Sequence, residues 1–543
     1  MAFEFSNLLS ITFGFFFLFI NELPYEDRFK IENMLLVALW FGDKKPLPNL
    51  FLQPLLEPLK ELFNGINVYV EDLKEDLSIR GILMCGTGDL PALALFILFN
   101  MYNGKFGCMK CVQKGLTVEK TRVYPYIQNI ILRNEQNVEE WAEQALEIGK
   151  PVCGVKGISI LSKLCYKYVS STAIDIMHLI AGIVKKLGEL HFDSKYAGND
   201  YNISHLVEVV DEKLRQVKPP SHTARRPRSI KTHFKYWKAS ELHNWFFYYS
   251  LPVLHGILPS QYFDHYKYFV LGIYTLSQQQ IPRDRINFAE ALIDEFTSRF
   301  ELLYGIKQMS PNLHNARHLA EMVRRLGPLY TTSCFALEDL NGKIKALVHS
   351  SKNPELQITK NLSILIKVHA LRHEWLKNNK IANDFCNNTK KRLKLTSIEN
   401  SIFAVGTITK MKESSAREIM STYSLVGSNI FLFKKIYKNK IVYYSELSQK
   451  DLKTESHFVS YNENNVNERL SLGIVQSYIR ITSCDCSKLC ECAGKNYAII
   501  KKLTTVNPFT VNVHLGTLKF IHKCTEVCDI PSLIEIRNDK MYA

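Results

Sequence analysis

The pattern of apolar and polar positions at the start of the chain predicts strands followed by a helix. Leu35 to Phe41 is continuously apolar and predicts a buried strand. Pro48 to Gly65 has leucines at helical spacing and predicts a helix that Gly65 ends. Pro54 and Pro58 fall inside this pattern, so we expect the regular helix to begin only near Pro58.

The next elements predict an α/β core with an acidic residue at a strand end. Val68 to Val70 and Ile82 to Cys85 have the composition of strands, and Leu90 to Met101 has the spacing of a helix. Asp89 lies between the last strand and the helix. Sites in α/β sheets often lie at the carboxyl ends of strands, so the position of Asp89 favours a functional role. The alternative is a helix N-cap, because Leu90-Pro91 opens the helix.

Two more regions follow, one helical and one rich in β-strands. Residues 105–330 are mainly helical, with 3.6-residue apolar spacing at 173–190, 241–254, 262–277, 287–304 and 312–326. A helix over 337–350 comes next, and residues 360–400 are basic, helical and then polar. From about residue 401 the pattern changes to short β-rich runs, which indicates a separate small domain.

An apolar run of thirteen residues, Leu8 to Ile20, lies near the N-terminus. It is short for a membrane span, which needs roughly 20 residues. It also has neither the basic flank nor the small-residue cleavage site of a secretory signal. We favour a buried strand, with a segment foreign to the original fold and a signal or anchor as the alternatives.

Composition limits the class of protein. A chain of 543 residues with 46% apolar residues exceeds one compact domain and can form several cores. The formal net charge of +15 indicates a polyanionic partner, either nucleic acid or an anionic membrane. Thirteen unevenly spread cysteines argue against a secreted disulfide framework and favour a reducing compartment with metal-bound thiols.

Two widely separated pairs of residues together form the ligand set of a zinc site. Cys108 and Cys111 form a CxxC pair, and His314 and His318 form an HxxxH pair whose spacing places both imidazoles on one helix face. Each pair alone is a weak signal. Together they predict a structural Cys₂His₂ Zn²⁺ site, because all four positions are protein atoms. Six late cysteines, at 484, 486, 490, 492, 524 and 528, have a spacing unusual for zinc and are equally consistent with hairpin loops.

Acidic residues flank the two pairs in mirror order. Asp89 precedes Cys108 by nineteen residues, and Glu338 follows His318 by twenty. A zinc site that joined the pairs would bring these carboxylates towards each other. Close carboxylates that hold Mg²⁺ on a basic protein suggest phosphoryl transfer on nucleic acid. The alternative for Glu338 is a first-turn residue that the helix dipole favours. Asp339 beside it is a poor third acid.

A basic segment between the two pairs predicts DNA binding. It contains eight Lys or Arg between residues 215 and 238 and no acid. Tyr236 and Trp237 are interleaved with them and are candidates for stacking on a displaced base. The residues that we expect to contact DNA are Arg225, Arg226, Arg228, Lys231, Lys235 and Lys238. A second basic stretch, 360–394, is a candidate extension, and a solvated loop and helix face is the alternative.

These residues resemble a known family, the transposases of CACTA-type (En/Spm-like) DNA transposons in their animal form. The resemblance covers roughly residues 20 to 350. The matching stretches are Ile20-Asn21-Glu22-Leu23-Pro24, Gly88-Asp89-Leu90-Pro91-Ala92, residues 104–111, Asp175-Ile176-Met177-His178, Arg226-Pro227-Arg228-Ser229, residues 237–241, residues 248–252, Leu303-Tyr304-Gly305, and 327–330 continuing to 335–342.

The resemblance implies an α/β RNase H-like (DDE) core interrupted by a large helical zinc-bearing insertion and followed by a small β-rich C-terminal domain. We expect the first part of the core, with its N-terminal strand truncated, at 1–104, the insertion at 105–330, the last part of the core with a basic helical linker at 331–400, and the β-rich domain at 401–543. Asp89 and Glu338 correspond to the second and third acids of the triad, with Mg²⁺ or Mn²⁺ as cofactor. The resemblance gives Asp175 and His178 no role, and helix packing is the simpler interpretation.

The chain departs from this family at the first acid. The family has that residue on a strand roughly twenty positions before the Asn-Glu-Leu-Pro motif, where this chain offers only Glu4. We therefore expect a nuclear DDE transposase-like protein that cleaves and transfers DNA strands at inverted-repeat ends, as a homo-oligomer on those ends, with weak activity or none. The alternatives are a domesticated, non-catalytic DNA- or chromatin-binding protein and, less favoured, a membrane-surface protein.

Overall fold

The computed structural model describes residues 2–8, 11–164, 166, 167, 169–220, 223, 225–377, 379, 381, 395–399, 402–427, 429–438, 441–448, 456–461, 471–484, 494–505, 509–513, 516–520, 524–526, 532–535, 541 and 542. It describes the backbone alone for 2–8, 11–13, 372–374, 377, 399, 441 and the described residues from 505 onwards. The chain forms two compact units. Unit 1 comprises Met1–Asp211, Pro227–Glu374 and Val511–Thr517, and unit 2 comprises Glu212–Arg226, Trp375–Thr510 and Leu518–Ala543. The four-part division of the sequence stays a prediction.

The first part of the chain combines short strands with three helices. The strands are β1 Ala2–Leu8, β2 Ile11–Phe19, β3 Met34–Gly42, β4 Ile66–Val70, β5 Glu75–Ile79, β6 Thr87–Gly88, β7 Leu116–Val118 and β8 Thr121–Val123. The helices are α1 Tyr25–Arg28, α2 Pro48–Asn64 and α3 Leu90–Phe96. The strands β4 and β5 form a hairpin of their own, as do β7 and β8.

The sheet that carries the candidate acid has the order β3-β2-β1-β6. The strands β1, β2 and β3 form an antiparallel meander, and β6 pairs in parallel with β1 through Ala2 with Thr87 and Phe3 with Gly88. Asp89 follows β6 directly. The sheet therefore presents this carboxylate at the end of a strand that lies beside the first strand of the chain.

The apolar run near the N-terminus contains the buried strand that we favoured. In β2, Phe15, Phe16 and Phe17 are 1 to 2% exposed. Phe16 packs on one face of the sheet against Phe96, with ring centroids 6.2 Å apart. Phe15 and Phe17 pack on the other face with residues of a later helix that includes Leu337. Full burial of each such side chain contributes about 1.5–3 kcal/mol, so both faces of β2 stabilise the sheet.

Several predictions for this region are wrong in detail. The helix α2 is continuous from Pro48 to Asn64 and contains Pro54 and Pro58. Both prolines are exposed, so water can satisfy the carbonyl groups that lack a helical donor. Residues 82–85 are not a strand, and only Thr87–Gly88 pairs with the sheet. The strand at Leu35 to Phe41 exists within β3, but it is half-buried or exposed rather than fully buried.

The middle of the chain is helical, as the apolar spacing predicted. Its helices are α4 Glu135–Ile148, α5 Ile176–Phe192, α6 Val207–Gln216, α7 Ile230–His233, α8 Ala239–Asn244, α9 Ser250–Leu254, α10 Ser260–Leu276, α11 Arg283–Tyr304, α12 Pro311–Ala316, α13 Leu319–Leu326, α14 Phe335–Lys345 and α15 Pro354–Lys377. A π-helical turn, Trp245–Tyr249, joins α8 to α9. Over the part of the chain described, no helix has the length and apolarity that crossing a membrane requires.

Unit 2 is built mainly from β-strands, in agreement with the predicted change of pattern near residue 401. Its strands are β9 Leu395–Glu399, β10 Ile402–Val405, β11 Thr409–Lys410, β12 Asn429–Phe433, β13 Lys435–Lys438, β14 Ile441–Tyr444, β15 Phe458–Tyr461, β16 Ser471–Thr482, β17 Gly494–Thr505, β20 Cys524–Glu526, β21 Ser532–Glu535 and β22 Met541–Tyr542. The strands β18 Phe509–Val513 and β19 Gly516–Phe520 are each divided between the two units. One helix, α16 Glu413–Thr422, packs near β12, and the long pair β16–β17 centres the larger sheet.

Candidate functional site

The CxxC pair lies in a buried loop after α3. Cys108 and Cys111 are 4% and 0% exposed. The buried guanidinium of Arg133 fixes the loop, because its Nε donates to the carbonyl oxygens of Cys108 at 3.0 Å and Cys111 at 2.9 Å. The Cys108 sulfur accepts a hydrogen bond from the backbone amide of Lys110 at 3.3 Å. The loop therefore holds both sulfurs in place through its own backbone.

The HxxxH pair lies at a bend between two helices, so the single helix predicted over 312–326 is wrong. His314 is in α12, and His318 is the residue before α13. The amides of Arg317 and His318 donate to carbonyl groups three residues back, at 3.2 and 3.1 Å. Such 3₁₀-type bonds tighten the turn. Both imidazoles are 4% exposed.

The structure brings the two pairs together. The ligand atoms of Cys108, Cys111, His314 and His318 all lie within 4.8 Å of one another. The Cys108 sulfur is 3.5 Å from His318 Nε2, the Cys111 sulfur is 3.2 Å from His314 Nε2, and the two Nε2 atoms are 3.4 Å apart. A tetrahedral zinc ion with ordinary bond lengths has edges of about 3.5 Å between S and N and about 3.3 Å between N atoms. The donor set and its dimensions therefore fit a metal ion.

The surroundings of this cluster favour a thiolate at Cys108 and a neutral thiol at Cys111, because the hydrogen bond with Cys108, burial and the charge of Cys108 raise the pKa of the Cys111 thiol. Burial raises the pKa of the Cys108 thiol, but the hydrogen bond from Cys111 and the nearby imidazoles outweigh burial and hold it well below its usual value. Tyr124 stacks on the His314 ring, with centroids 4.7 Å apart, and orients that imidazole. Burial and the charge of Cys108 raise the pKa of Tyr124 to about 12, so its hydroxyl stays neutral.

The first candidate acid, Asp89, is the N-cap of α3. Its Oδ1 accepts a hydrogen bond from the amide of Ala92 at 2.6 Å. The capping alternative is therefore present in the structure. One carboxylate oxygen makes this bond, and the half-buried side chain retains its second oxygen for another partner.

The second candidate acid, Glu338, lies in the first turn of α14, and its side chain is 45% exposed. Burial raises the pKa of the Glu338 carboxyl, and the charges of Asp175 and Asp89 raise it further, while His178 opposes them. The charge of Asp89 therefore acts on Glu338 and disfavours its ionised form. A cation bound near both carboxylates would offset this repulsion.

An imidazole lies beside these acids. His178 Nδ1 is 2.5 Å from Asp175 Oδ2, and its Nε2 is 3.7 Å from Glu338 Oε1. Burial lowers the pKa of His178, but the hydrogen bond and charge of Asp175, with the charges of Glu338 and Asp89, raise it to about 9. Asp175 is buried, and it also caps α5 by accepting from the amides of Met177 and His178. Helix packing alone does not describe Asp175 and His178, because the imidazole of His178 also lies beside Glu338. The side chains of Asp89 and Glu338 are called the acid site from here on.

The strand β1 places Glu4 near Asp89 along the backbone. Glu4 follows Phe3, whose parallel partner Gly88 precedes Asp89. The register therefore assigns Glu4 and Asp89 to equivalent positions on neighbouring strands. The sequence alone had given Glu4 no structural context.

The basic segment is partly neutralised by acids from elsewhere in unit 1. Arg228 forms a bidentate pair with the buried Glu241, with Nε 2.7 Å from Oε1 and a terminal nitrogen 2.9 Å from Oε2. Lys231 pairs with Glu208, and Lys235 lies 3.8 Å from Asp193. In unit 2, a terminal nitrogen of Arg226 donates to the Val217 carbonyl oxygen. Part of the predicted DNA-binding charge therefore also stabilises the fold.

The two aromatic residues of this segment have opposite environments. Tyr236 is 74% exposed, whereas Trp237 is 6% exposed and packs against Phe234 and Trp245. The prediction that Trp237 stacks on a displaced base is therefore wrong, because its ring is buried in the core. Arg225 is described but lies in unit 2. Much of the second basic stretch, and Cys486, Cys490, Cys492 and Cys528, lie outside the described residues.

Comparison with known proteins finds a family model that matches part of the chain. Residues 4–129 match a family model described as transposase family tnp2. No curated protein matches the chain. The match spans β1, β6 and Asp89 together with the CxxC loop, and it supports a transposase-like function of transposon origin, with DNA as the partner and use of a divalent metal.

Sequence reasoning identified the four metal-ligand candidates and the two acids, but it missed the part that Asp175 and His178 have in the site. The sequence did contain a signal for this contact, because Asp175 and His178 are three residues apart at the start of a helix. An N-cap carboxylate at that position can reach an imidazole one turn later. Sequence reasoning also missed Lys110, a half-buried residue between the two cysteines that donates to the carbonyl oxygen of Thr172.

Proposed function

We propose that this chain is a CACTA-type DDE transposase-like protein that cleaves and transfers DNA strands at inverted-repeat ends. The observation that carries the proposal is the 3.7 Å approach of His178 to Glu338, with the charge of Asp89 acting on both side chains, in a chain whose residues 4–129 match a transposase family model. A non-catalytic DNA-binding role would explain the caps that Asp89 and Asp175 form, but it would not require His178 to lie beside Glu338.

An RNase H-like core is part of this proposal. Its support is the meander of β1, β2 and β3 with β6 added in parallel beside β1, and an acid directly after β6. Further support comes from α14, which carries Glu338 and packs on the face of β2 that holds Phe15 and Phe17. The helices between residues 105 and 330 form the proposed insertion, whose Cys/His cluster joins its two ends.

The acid site suits Mg²⁺ or Mn²⁺, because its donors are carboxylate oxygens. In such sites the metal ions activate a water or a 3′-hydroxyl and stabilise the leaving oxygen. Within the chain, the cap bond to Ala92 fixes Asp89, and the repulsion described above favours a bound cation at Glu338. Glu4 is the residue of β1 that could serve as the first acid of the triad, because Phe3, which precedes it, pairs with Gly88, which precedes Asp89. Because glutamate is one methylene longer than aspartate, we expect weak turnover.

The cluster of Cys108, Cys111, His314 and His318 is proposed to hold a structural Zn²⁺. All four positions of a tetrahedral ion would be filled by protein atoms, which is typical of structural rather than catalytic zinc. The ion would join the loop after α3 to the bend before α13. We further propose a nuclear protein that acts as a homo-oligomer on two DNA ends, with Lys235, Lys238 and Tyr236 at the DNA.

The test is strand cleavage and transfer on DNA that carries the inverted repeats flanking the gene, in Mg²⁺ and in Mn²⁺. We expect weak activity that Asp89→Asn abolishes, since asparagine retains an oxygen for the cap bond but lacks the charge. Salt-dependent DNA binding should persist in that variant. Equal activity of the wild type and Asp89→Asn would refute the assignment.

A further inference from the structure

We infer that Asp175 and His178 are positioning residues that set the placement of Glu338 relative to Asp89. Both residues belong to the segment Ser171–His178, which we call the strut. The inference rests on the proposed function, because it assumes that the two acids share a divalent ion. Neither Asp175 nor His178 has to contact DNA or metal for this role.

One end of the strut is bonded to the strand that leads to Asp89. The amide of Gly86 donates to the Ser171 carbonyl oxygen, and the amide of Ala173 donates to the Gly86 carbonyl oxygen, both at 2.8 Å. Gly86 and Thr172 thus form a parallel bridge. Gly86 lies three residues before Asp89, so the strut holds the backbone on which this acid stands.

The other end is bonded to the helix that carries Glu338. Asp175 Oδ1 accepts a hydrogen bond of 2.8 Å from the amide of Cys334, the residue that precedes α14. Asp175 Oδ2 accepts from His178 Nδ1, which turns Nε2 towards Glu338. Asp175 therefore reaches Glu338 by two routes, one through the backbone of α14 and one through an imidazole.

The strut is also joined to the metal-ligand cluster. The half-buried Lys110, between Cys108 and Cys111, donates to the Val169 carbonyl oxygen at 2.5 Å and to that of Thr172. The helix α5, which begins after Asp175, passes α12 so closely that a Cβ at Gly182 would lie 1.9 Å from the Asn312 side chain. The strut thus connects the Cys/His cluster with both acid-bearing segments.

Asp175 suits this role because it is 4% exposed and accepts from three backbone amides and one imidazole. Asparagine has the same shape, but its Nδ2 cannot accept the bonds that Oδ2 accepts, so buried donors would lose their partner. Residues that orient metal ligands in this way typically change metal affinity or activity by about 10–100-fold when replaced.

The test measures Mn²⁺ binding by electron paramagnetic resonance on the zinc-loaded full chain. Glu338→Gln assigns the signal to the acid site. We expect Asp175→Asn to raise the Kd for Mn²⁺ by about 10–100-fold and His178→Gln by about tenfold. The double variant should bind no more weakly than Asp175→Asn, because both residues act on the same acid. Asp193→Asn, the same change at a capping residue of the opposite end of α5, is the matched control.

The outcomes separate the two claims. A wild type that binds no Mn²⁺ contradicts the proposed function and the inference with it. A wild type that binds Mn²⁺, with Asp175→Asn and His178→Gln within twofold of it, overturns the inference alone. If Asp175→Asn loses zinc or fails to fold, His178→Gln decides, because it leaves the backbone bonds of Asp175 intact.

Discussion

The carboxylate of Asp175 accepts a hydrogen bond of 2.8 Å from the amide of Cys334, a residue 159 positions later in the chain. This bond ties the start of α5 to the start of α14. It brings His178 to within 3.7 Å of Glu338. The helical part of the chain therefore contributes directly to the geometry of the acid site.

Removal of one cluster ligand should cost both metal and stability. We expect Cys111→Ser to abolish binding of one zinc per chain and to lower the free energy of unfolding by several kcal/mol, because structural zinc sites couple metal binding to folding. Metal analysis and thermal unfolding measure the two effects. Cys153→Ser is the matched control, since Cys153 lies outside the cluster. Full zinc content in Cys111→Ser would contradict the assignment.

The raised pKa of His178 predicts a pH-dependent stability. The folded pKa of about 9 exceeds the ordinary value of 6.5, so the contribution is fully present below pH 6.5 and is lost as pH rises through 9. Because the side chain is 43% exposed, we expect about 1 kcal/mol rather than the full value of the shift. The measurement compares the unfolding of wild type and His178→Gln without Mg²⁺ or Mn²⁺. A stability difference that grows with pH has the wrong sign for this account.

Replacement of Glu4 tests whether β1 supplies the first acid of the triad. We expect Glu4→Gln to reduce DNA strand cleavage by about tenfold or more, because a carboxylate at the position equivalent to Asp89 would be lost. The rate of cleavage at saturating Mn²⁺ measures the effect. Glu57→Gln, on the exposed face of α2, is the control for loss of one negative charge. Unchanged cleavage in Glu4→Gln would remove this residue from the site.

Adjacent aromatic residues should behave in opposite ways. We expect Tyr236→Ala to weaken binding of single-stranded DNA by about 1–3 kcal/mol through lost stacking, with the fold intact. Trp237→Ala should lower the free energy of unfolding by about 3–5 kcal/mol, because its ring is buried against Phe234 and Trp245. Fluorescence titration and thermal unfolding separate the two effects. Equal DNA affinity for wild type and Tyr236→Ala would exclude Tyr236 from the interface.

The charge of the basic segment predicts the salt dependence of DNA binding. We expect Lys238→Ala to reduce the slope of log affinity against log salt by about one, as loss of one phosphate contact does. Arg228→Ala should instead lower the melting temperature, because it leaves the buried carboxylate of Glu241 without its partner. A salt titration of DNA binding and thermal unfolding, each applied to both variants, measure the difference. A slope that Lys238→Ala leaves unchanged would place Lys238 away from the DNA.

The site candidates that a linear pattern could suggest are those whose chemistry depends on spacing, and the structure brings the four Cys and His candidates together. The CxxC and HxxxH pairs are the usual spacings of zinc ligands, and Asp89 and Glu338 flank them symmetrically. The 3.6-residue periodicity likewise located most helices of the middle region. These features are local, so a linear pattern contains them.

The features that the sequence did not reveal depend on contacts between distant segments. The bend between His314 and His318 comes from two tight hydrogen bonds, and the prolines of α2 are tolerated because they face solvent. The partner of Arg228 is thirteen residues away, and that of Asp175 is in another helix. No periodicity encodes such pairings, because each requires the fold to exist first.

The central claim is that Asp89 and Glu338 share a divalent cation, and the most direct measurement is the Mn²⁺ affinity of neighbouring acid variants of the zinc-loaded chain. Glu338 faces His178, whereas Asp339 beside it is exposed and paired with Lys343 at 2.6 Å. The account predicts that Asp89→Asn and Glu338→Gln lose Mn²⁺ binding while Asp339→Asn retains it. Equal Mn²⁺ affinity in all three variants and the wild type would contradict it.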